Sequence, residues 1–310
     1  MATSGSTDFK MTCSEIVQDA MQKIGVVGAT ETPSNADMDT GRKVLNMMVK
    51  AWQNKDVGMW FLQEANLFLQ YGQRAYSLGP SGDHCTLSYV RSALAEAAEA
   101  TDTTLYLDAS DMSTGDYIGI VLDDGTLDWK TLDTTHTATD AVITEGLSGD
   151  AAAGNYVFAY STKIQRPVDV LDARFDVLDG GQQPEIEFVN RSDFFKLYDR
   201  VARGQLIRAY YDPQLTNSRI WVWPTADNVN HTVKLTLQVR VEDLDALTDD
   251  IQFPSEWLEA LTYNLAKRLC PYFLKPVPPD IDEFARTAFN DASMKDEDSS
   301  PFRMGVRWDG

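Results

Sequence analysis

The sequence predicts an α+β protein: a helical bundle formed by the N- and C-terminal helices, with attached β-structure and an inserted small β-domain. Three observations lead there. Apolar residues recur at helical spacing near both ends of the chain. Short, aromatic-rich alternating runs fill much of the middle. Between two such runs, residues 84–162 shift in composition towards Thr, Ala, Gly and Asp. The boundaries that follow are a discontinuous body of residues 1–83 and 163–295, an acidic insert at 84–162, and a C-terminal tail at 296–310.

The organising stretch is 251–273. Trp257, Leu258, Leu261, Leu265 and Leu269 fall three and four residues apart, which is one face of a helix. Glu256 and Glu259 sit in its first turn and Lys267 and Arg268 in its last, an order that suits the helix dipole. Pro271 stops the run. Matching faces lie at the other end of the chain. Thr12 to Glu15 reads as a capping box, followed by Ile16, Val17, Ala20, Met21 and Ile24. Ser34 starts a second helix with Met38, Leu45, Met48, Val49 and Trp52 on one side. A further stripe of Ile281, Phe284, Ala285, Ala288 and Phe289 follows Pro279. The predicted helices are 12–25, 34–55, 254–270 and 279–294.

The strands are read from alternation and turn residues. Residues 60–78 predict a hairpin about Tyr71-Gly72-Gln73. In the insert, short strands are expected near Leu105, at 117–122, at Leu127 to Trp129 and at 156–158. Asp124-Gly125 signals a type I′ turn between two of them, and 93–100 could form a short helix. Beyond it, strands are expected at 167–175, 185–189, 219–224 and 232–241, with a short helix at 192–198. The last two strands are joined by a polar turn around Asp227. Trp221 and Trp223 share one strand face, where core packing is favoured over a stacking platform.

Charge narrows the function classes. There are 27 basic and 47 acidic residues, a net charge of −20. A protein that grips DNA through its phosphates needs a basic face, and this one repels polyanions overall. Residues 84–160 hold thirteen acidic and two basic residues, so more than half of the net charge lies in that span. No membrane span or signal peptide is expected. Cys13, Cys85 and Cys270 form no CxxC and read as free thiols.

No catalytic constellation stands out. His84, His136 and His231 lack a partner at ligand spacing and read as surface residues. GxSxG and P-loop patterns are absent. Asp123, Asp124 and Asp128 lack the terminal Glu of a calcium loop. No cofactor and no metal are expected. The sharpest candidate is the tail, where Phe302, Met304, Val306 and Trp308 alternate with Arg303, Gly305 and Arg307. Period-two alternation suits a strand added to another chain's sheet edge, its apolar side chains entering pockets.

Four stretches carry a family resemblance: residues 15–53 (EIVQDAMQKIGVVGATETPSNADMDTGRKVLNMMVKAWQ), 76–83 (YSLGPSGD), 209–228 (AYYDPQLTNSRIWVWPTADN) and 247–273 (LTDDIQFPSEWLEALTYNLAKRLCPYF). In order and spacing they resemble the head-to-tail adaptor proteins of short-tailed bacteriophages, also called tail accessory factors or packaged-DNA stabilisation proteins. The resemblance covers about 12–83 and 163–295; the simplest members lack a counterpart of 84–160. It implies a virion structural protein and not an enzyme: a ring, typically dodecameric, bound beneath the portal protein at the capsid vertex. Double-stranded DNA passes down its axis without specific binding, and the ring seals the head and offers a platform to a tail hub or nozzle protein. Assembly would take place in the host bacterial cytoplasm. The segment that reaches the portal falls on 299–310, chiefly on Phe302, Met304, Val306 and Trp308, with Arg303 and Arg307. Two rivals remain open. One is a virion-associated murein hydrolase using a carboxylate pair. The other is a tail component whose insert binds glycans, with Trp129 or Tyr156 as the platform.

Overall fold

The helical bundle expected from the sequence is not the fold: the computed structural model is mostly β-sheet. It describes residues 9–53, 61–178, 180–199 and 201–296. Among these residues fourteen strands form four sheets, and the α-helices are five. The helices are α1 (Cys13–Lys23), α2 (Asn35–Gln53), α3 (Arg191–Phe195), α4 (Leu258–Leu269) and α5 (Pro279–Asp296). The physical reason for the error is one of legibility. Most strands are expected one by one from the sequence, but helical stripes that repeat over several turns set the predicted frame, whereas strands of two to eight residues, each offering few alternations, pair into four sheets.

Contacts divide the chain into two units, Met1–Trp60 with Val241–Gly310, and Phe61–Arg240. In the first unit, α1 opens with the expected capping box. The Glu15 amide donates to Thr12 Oγ1 (3.3 Å) and the Thr12 amide to Glu15 Oε2 (2.8 Å). The predicted α4 stripe is buried in full, from Trp257 to Leu269. Gly41 of α2 lies hard against α1: a Cβ there would stand 2.2 Å from Val17 Cγ1. Trp52 of α2, Trp257 in the 3-10 turn that leads into α4, and Phe289 of α5 pack together, their ring centroids 5.0 to 5.8 Å apart. The segment before α4 is laced to α2, with Arg42 Nη1 (2.8 Å) and Asn46 Nδ2 (2.9 Å) both donating to Leu244 O.

The second unit holds all four sheets. The first runs β10 (Asp169–Asp176), β14 (Thr232–Gln238), β1 (Leu62–Phe68), β3 (Cys85–Thr86). The second runs β11 (Glu187–Phe188), β12 (Arg208–Asp212), β13 (Ser218–Trp223), β2 (Ala75–Leu78). They share one core, to which β14 contributes Val233, Leu235 and Leu237 and β13 contributes Ile220 and Val222. That alternation is the period-two pattern of strands buried on one face. The expected hairpin at 60–78 does not form. β1 pairs with β14 and β3, while β2 pairs with β13, so the turn at Gly72 (φ +69) carries the chain from one sheet to the other.

Residues 84–162 contribute β3 to the first sheet and build the other two. One runs β4 (Val90–Ala93), β9 (Tyr156–Tyr160), β6 (Tyr117–Val121), β7 (Leu127–Thr131); the other pairs β5 (Thr104–Tyr106) with β8 (Asp140–Val142). Leu105, Ile118, Ile120, Leu132, Ile143 and Val157 lie in a core of their own. No helix occupies 93–100. The β6–β7 turn is not type I′, which needs positive φ at both central residues. Positive φ is confined to Gly125 (+81), and Leu122 N donates to Thr126 O across a three-residue connection.

Candidate functional site

Phe302, Arg303, Met304, Val306, Arg307 and Trp308, the residues singled out from the sequence for docking, lie outside the described residues. The described residues present two other aromatic assemblies, both in the β-rich unit.

The first is a groove on the outer face of the second sheet. Ile220 and Val222 point into the core, so strand alternation turns Trp221 and Trp223 the other way, where both remain half-exposed. The expectation that these tryptophans pack in the core is therefore wrong; their neighbours fill it. Tyr210 of β12 stands opposite Trp221 in the register. Phe195 of α3 meets Trp221 edge to face, 5.5 Å between centroids. Trp223 Nε1 donates to Asp199 O (2.6 Å), which fixes that ring. With Arg74, Phe194 and Leu197, the rings of Phe195, Trp221 and Trp223 line a cavity of about 230 Å³. The sequence signal for it was Trp-Val-Trp: two large rings on one face with a β-branched residue between them on the other. Phe194 and Phe195 were placed in a short helix, but nothing in the sequence brought them to the tryptophans.

The second assembly joins the insert to the first sheet. Phe68 of β1 is 2% exposed and packs against Tyr89, Trp129, Phe158 and Tyr160. His84 stacks on Trp129 and its Nδ1 lies 2.7 Å from the Tyr160 hydroxyl. Burial first, and the Lys163 charge second, push the His84 pKa down to about 3. His84 is thus a neutral, packed ring and not the surface residue expected. Trp129 also lies over Gly119, its cross-strand partner; a Cβ there would stand 2.8 Å from the indole. With His84 on one face and Gly119 against the ring, Trp129 offers no free platform for a sugar. Tyr156, the other platform considered, carries the Arg91 guanidinium 5.1 Å from its ring centre.

The remaining histidines are half-buried and also engaged: His136 Nδ1 is 2.9 Å from Asp133 O, and His231 meets Phe175 edge to face. All three cysteines are buried. Burial pushes the Cys13 thiol up to about 11 and raises Cys85 and Cys270 as well, which suppresses the reactive thiolate. Among the described residues no group of three or more His, Cys, Asp or Glu is placed to hold a metal ion. The displaced carboxylates move downward: Asp108, Asp124 and Asp133 through hydrogen bonds from neighbouring Ser and Thr hydroxyls, Asp193 through Lys196, and Asp282 through Lys267. No helix among the described residues is long and apolar enough to cross a membrane.

No family model matches the sequence, and a search of curated proteins finds no match.

Proposed function

We propose that this chain is a virion structural protein: a head-to-tail adaptor that binds beneath a portal as a ring, closes the DNA-filled head and gives the tail its attachment platform. The observation that carries this reading is how the four resembling stretches meet. Residues 15–53 and 247–273 fold together in the helical unit, where Trp52 packs against Phe253 and Trp257, 6.4 and 5.8 Å between ring centroids. Residues 76–83 and 209–228 pair in one sheet, with Ser218 opposite Leu78 and Asn217 Nδ2 donating to Ser81 Oγ (2.9 Å). Stretches far apart in sequence that share a resemblance also share contacts. A common architecture accounts for that better than chance likeness of composition does.

Two further points support the reading. A net charge of −20 suits a wall past which DNA slides without being held. The covered face of Trp129 runs against a glycan platform. In this reading residues 299–310 add to a sheet edge of the portal, with Phe302, Met304, Val306 and Trp308 as anchors and Arg303 and Arg307 between them. Modest contacts repeated round a ring then hold through multivalency. Co-sedimentation of the full chain with purified portal particles tests the proposal. Saturable binding near one chain per portal subunit is expected. Absence of binding at both low and physiological salt would overturn it.

A further inference from the structure

The helical unit holds a pocket that the adaptor reading does not use. It lies where α4 and α5 run side by side. Asn264, Lys267 and Arg268 recur at helical spacing on α4, and Arg286, Phe289 and Asn290 do so on α5. With Trp52 of α2 they line a cavity of about 350 Å³. Its walls are held in place. Asn264 Nδ2 donates to Ala285 O (2.9 Å), which staples the two helices together. Trp52 and Phe289 meet edge to face, 5.0 Å between centroids, and give the cavity an apolar side.

The charge of the pocket runs against that of the chain. Lys267, Arg268 and Arg286 line it, and among the described residues no carboxylate does. The nearby Asp282 serves two of the three: its Oδ1 lies 2.5 Å from Lys267 Nζ and its Oδ2 3.4 Å from Arg286 Nη2. Arg268 is exposed, and among the described residues no carboxylate pairs with it. One carboxylate against three cations leaves two positive charges in excess, in a chain of net charge −20. A carboxylate ligand would cancel one of them. A phosphate monoester carries close to two negative charges at pH 7 and suits the forked donors of two arginines. A long polyanion fits less well, because it also meets the repulsion of the whole chain, whereas a small dianion responds mainly to charges within a Debye length.

We propose that the pocket between α4 and α5 binds a small phosphate monoester with a planar or apolar body, such as a nucleoside monophosphate. The phosphate is held by Lys267, Arg268 and Arg286, and the body lies on the side of Trp52 and Phe289. A cavity of this size lies at the lower end of the range for small-molecule sites. The inference goes beyond the adaptor reading and stands without it, since the site lies within one chain.

Isothermal titration calorimetry of the full chain tests it, with AMP, inorganic phosphate and a short DNA duplex as probes at low and physiological salt. AMP should bind saturably at one site per chain, more tightly than inorganic phosphate, and the duplex should bind more weakly than AMP. Arg268→Gln should weaken AMP binding at least about tenfold. Asp282→Asn should tighten it, because Lys267 and Arg286 then lose their competing carboxylate. Lys196→Gln, which removes a cation of the β-rich unit, should leave it unchanged. Far-UV circular dichroism checks that each variant is folded. No AMP binding by the wild type, unchanged binding in folded Arg268→Gln, weaker binding in folded Asp282→Asn, or an equal loss in Lys196→Gln would each overturn the proposal. Binding of the duplex without binding of AMP would overturn it in favour of a nucleic-acid contact. Portal is absent from the assay, so failure here and failure to bind portal are separate results.

Discussion

His84 and Trp129 lie face to face, their ring centroids 3.8 Å apart and their planes 3° from parallel. The pair ties the loop before β3 to the insert's sheet, beside Phe68. An imidazolium buried here would lie near the Lys163 ammonium, which explains why the ring stays neutral.

That pairing predicts a pH dependence of stability. The folded-state pKa of His84 is lowered to about 3 from 6.5, so between those values the unfolded chain binds a proton that the folded chain refuses. Stability contributed by this site is fully present above about pH 6.5 and is lost as pH falls towards 3. Urea midpoints at pH 7 and pH 4.5, compared between wild type and His84→Phe, should show the wild type losing more over that interval. Equal losses would mean that His84 is protonated in the folded state.

Gly41 is where α1 and α2 approach most closely. A Cβ at that position would meet Val17 Cγ1 at 2.2 Å, and Val17 is fully buried. Gly41→Ala should therefore destabilise by about 1–3 kcal/mol through overpacking, despite the better helix propensity of alanine. Adding Val17→Ala should make the two changes less costly together than their separate effects sum to. Denaturant unfolding of the four chains measures that coupling, and simple additivity would contradict the contact.

The three thiols should be inert in the folded protein. Cys13, Cys85 and Cys270 are buried and their pKa values are raised by burial. Reaction with an aromatic disulfide reagent at pH 8 should be at least about a hundredfold slower in buffer than in urea, where all three become accessible. A fast phase worth one thiol in buffer would identify a cysteine whose surroundings open readily.

Much of the helical unit was legible because its signals are local. Thr12 and Glu15 specify a cap three residues apart, and the stripe from Trp257 to Leu269 needs no knowledge of its partner. The sheets were less legible because pairing is not local. Leu78 lies opposite Ser218 and Phe68 opposite Thr232, separations that no turn signal encodes. The hairpin expected about Gly72 failed for that reason: the turn exists, but its flanking strands find partners far along the chain. The groove was half legible. The shared face of Trp221 and Trp223 followed from alternation, but which face lay inward was decided by Ile220 and Val222 and by the core across the sheet. His84 was misread because stacking on Trp129 depends on a tertiary contact 45 positions away.

The most direct test of the adaptor reading is electron microscopy of portal particles mixed with this protein, comparing the full chain with one that ends at Asp298. The account predicts a ring added beneath the portal by the full chain and bare portals with the shortened one, since Phe302, Met304, Val306 and Trp308 are then missing. Bare portals with both chains would contradict the adaptor assignment itself. Rings with both would keep the adaptor and remove the docking role of residues 299–310.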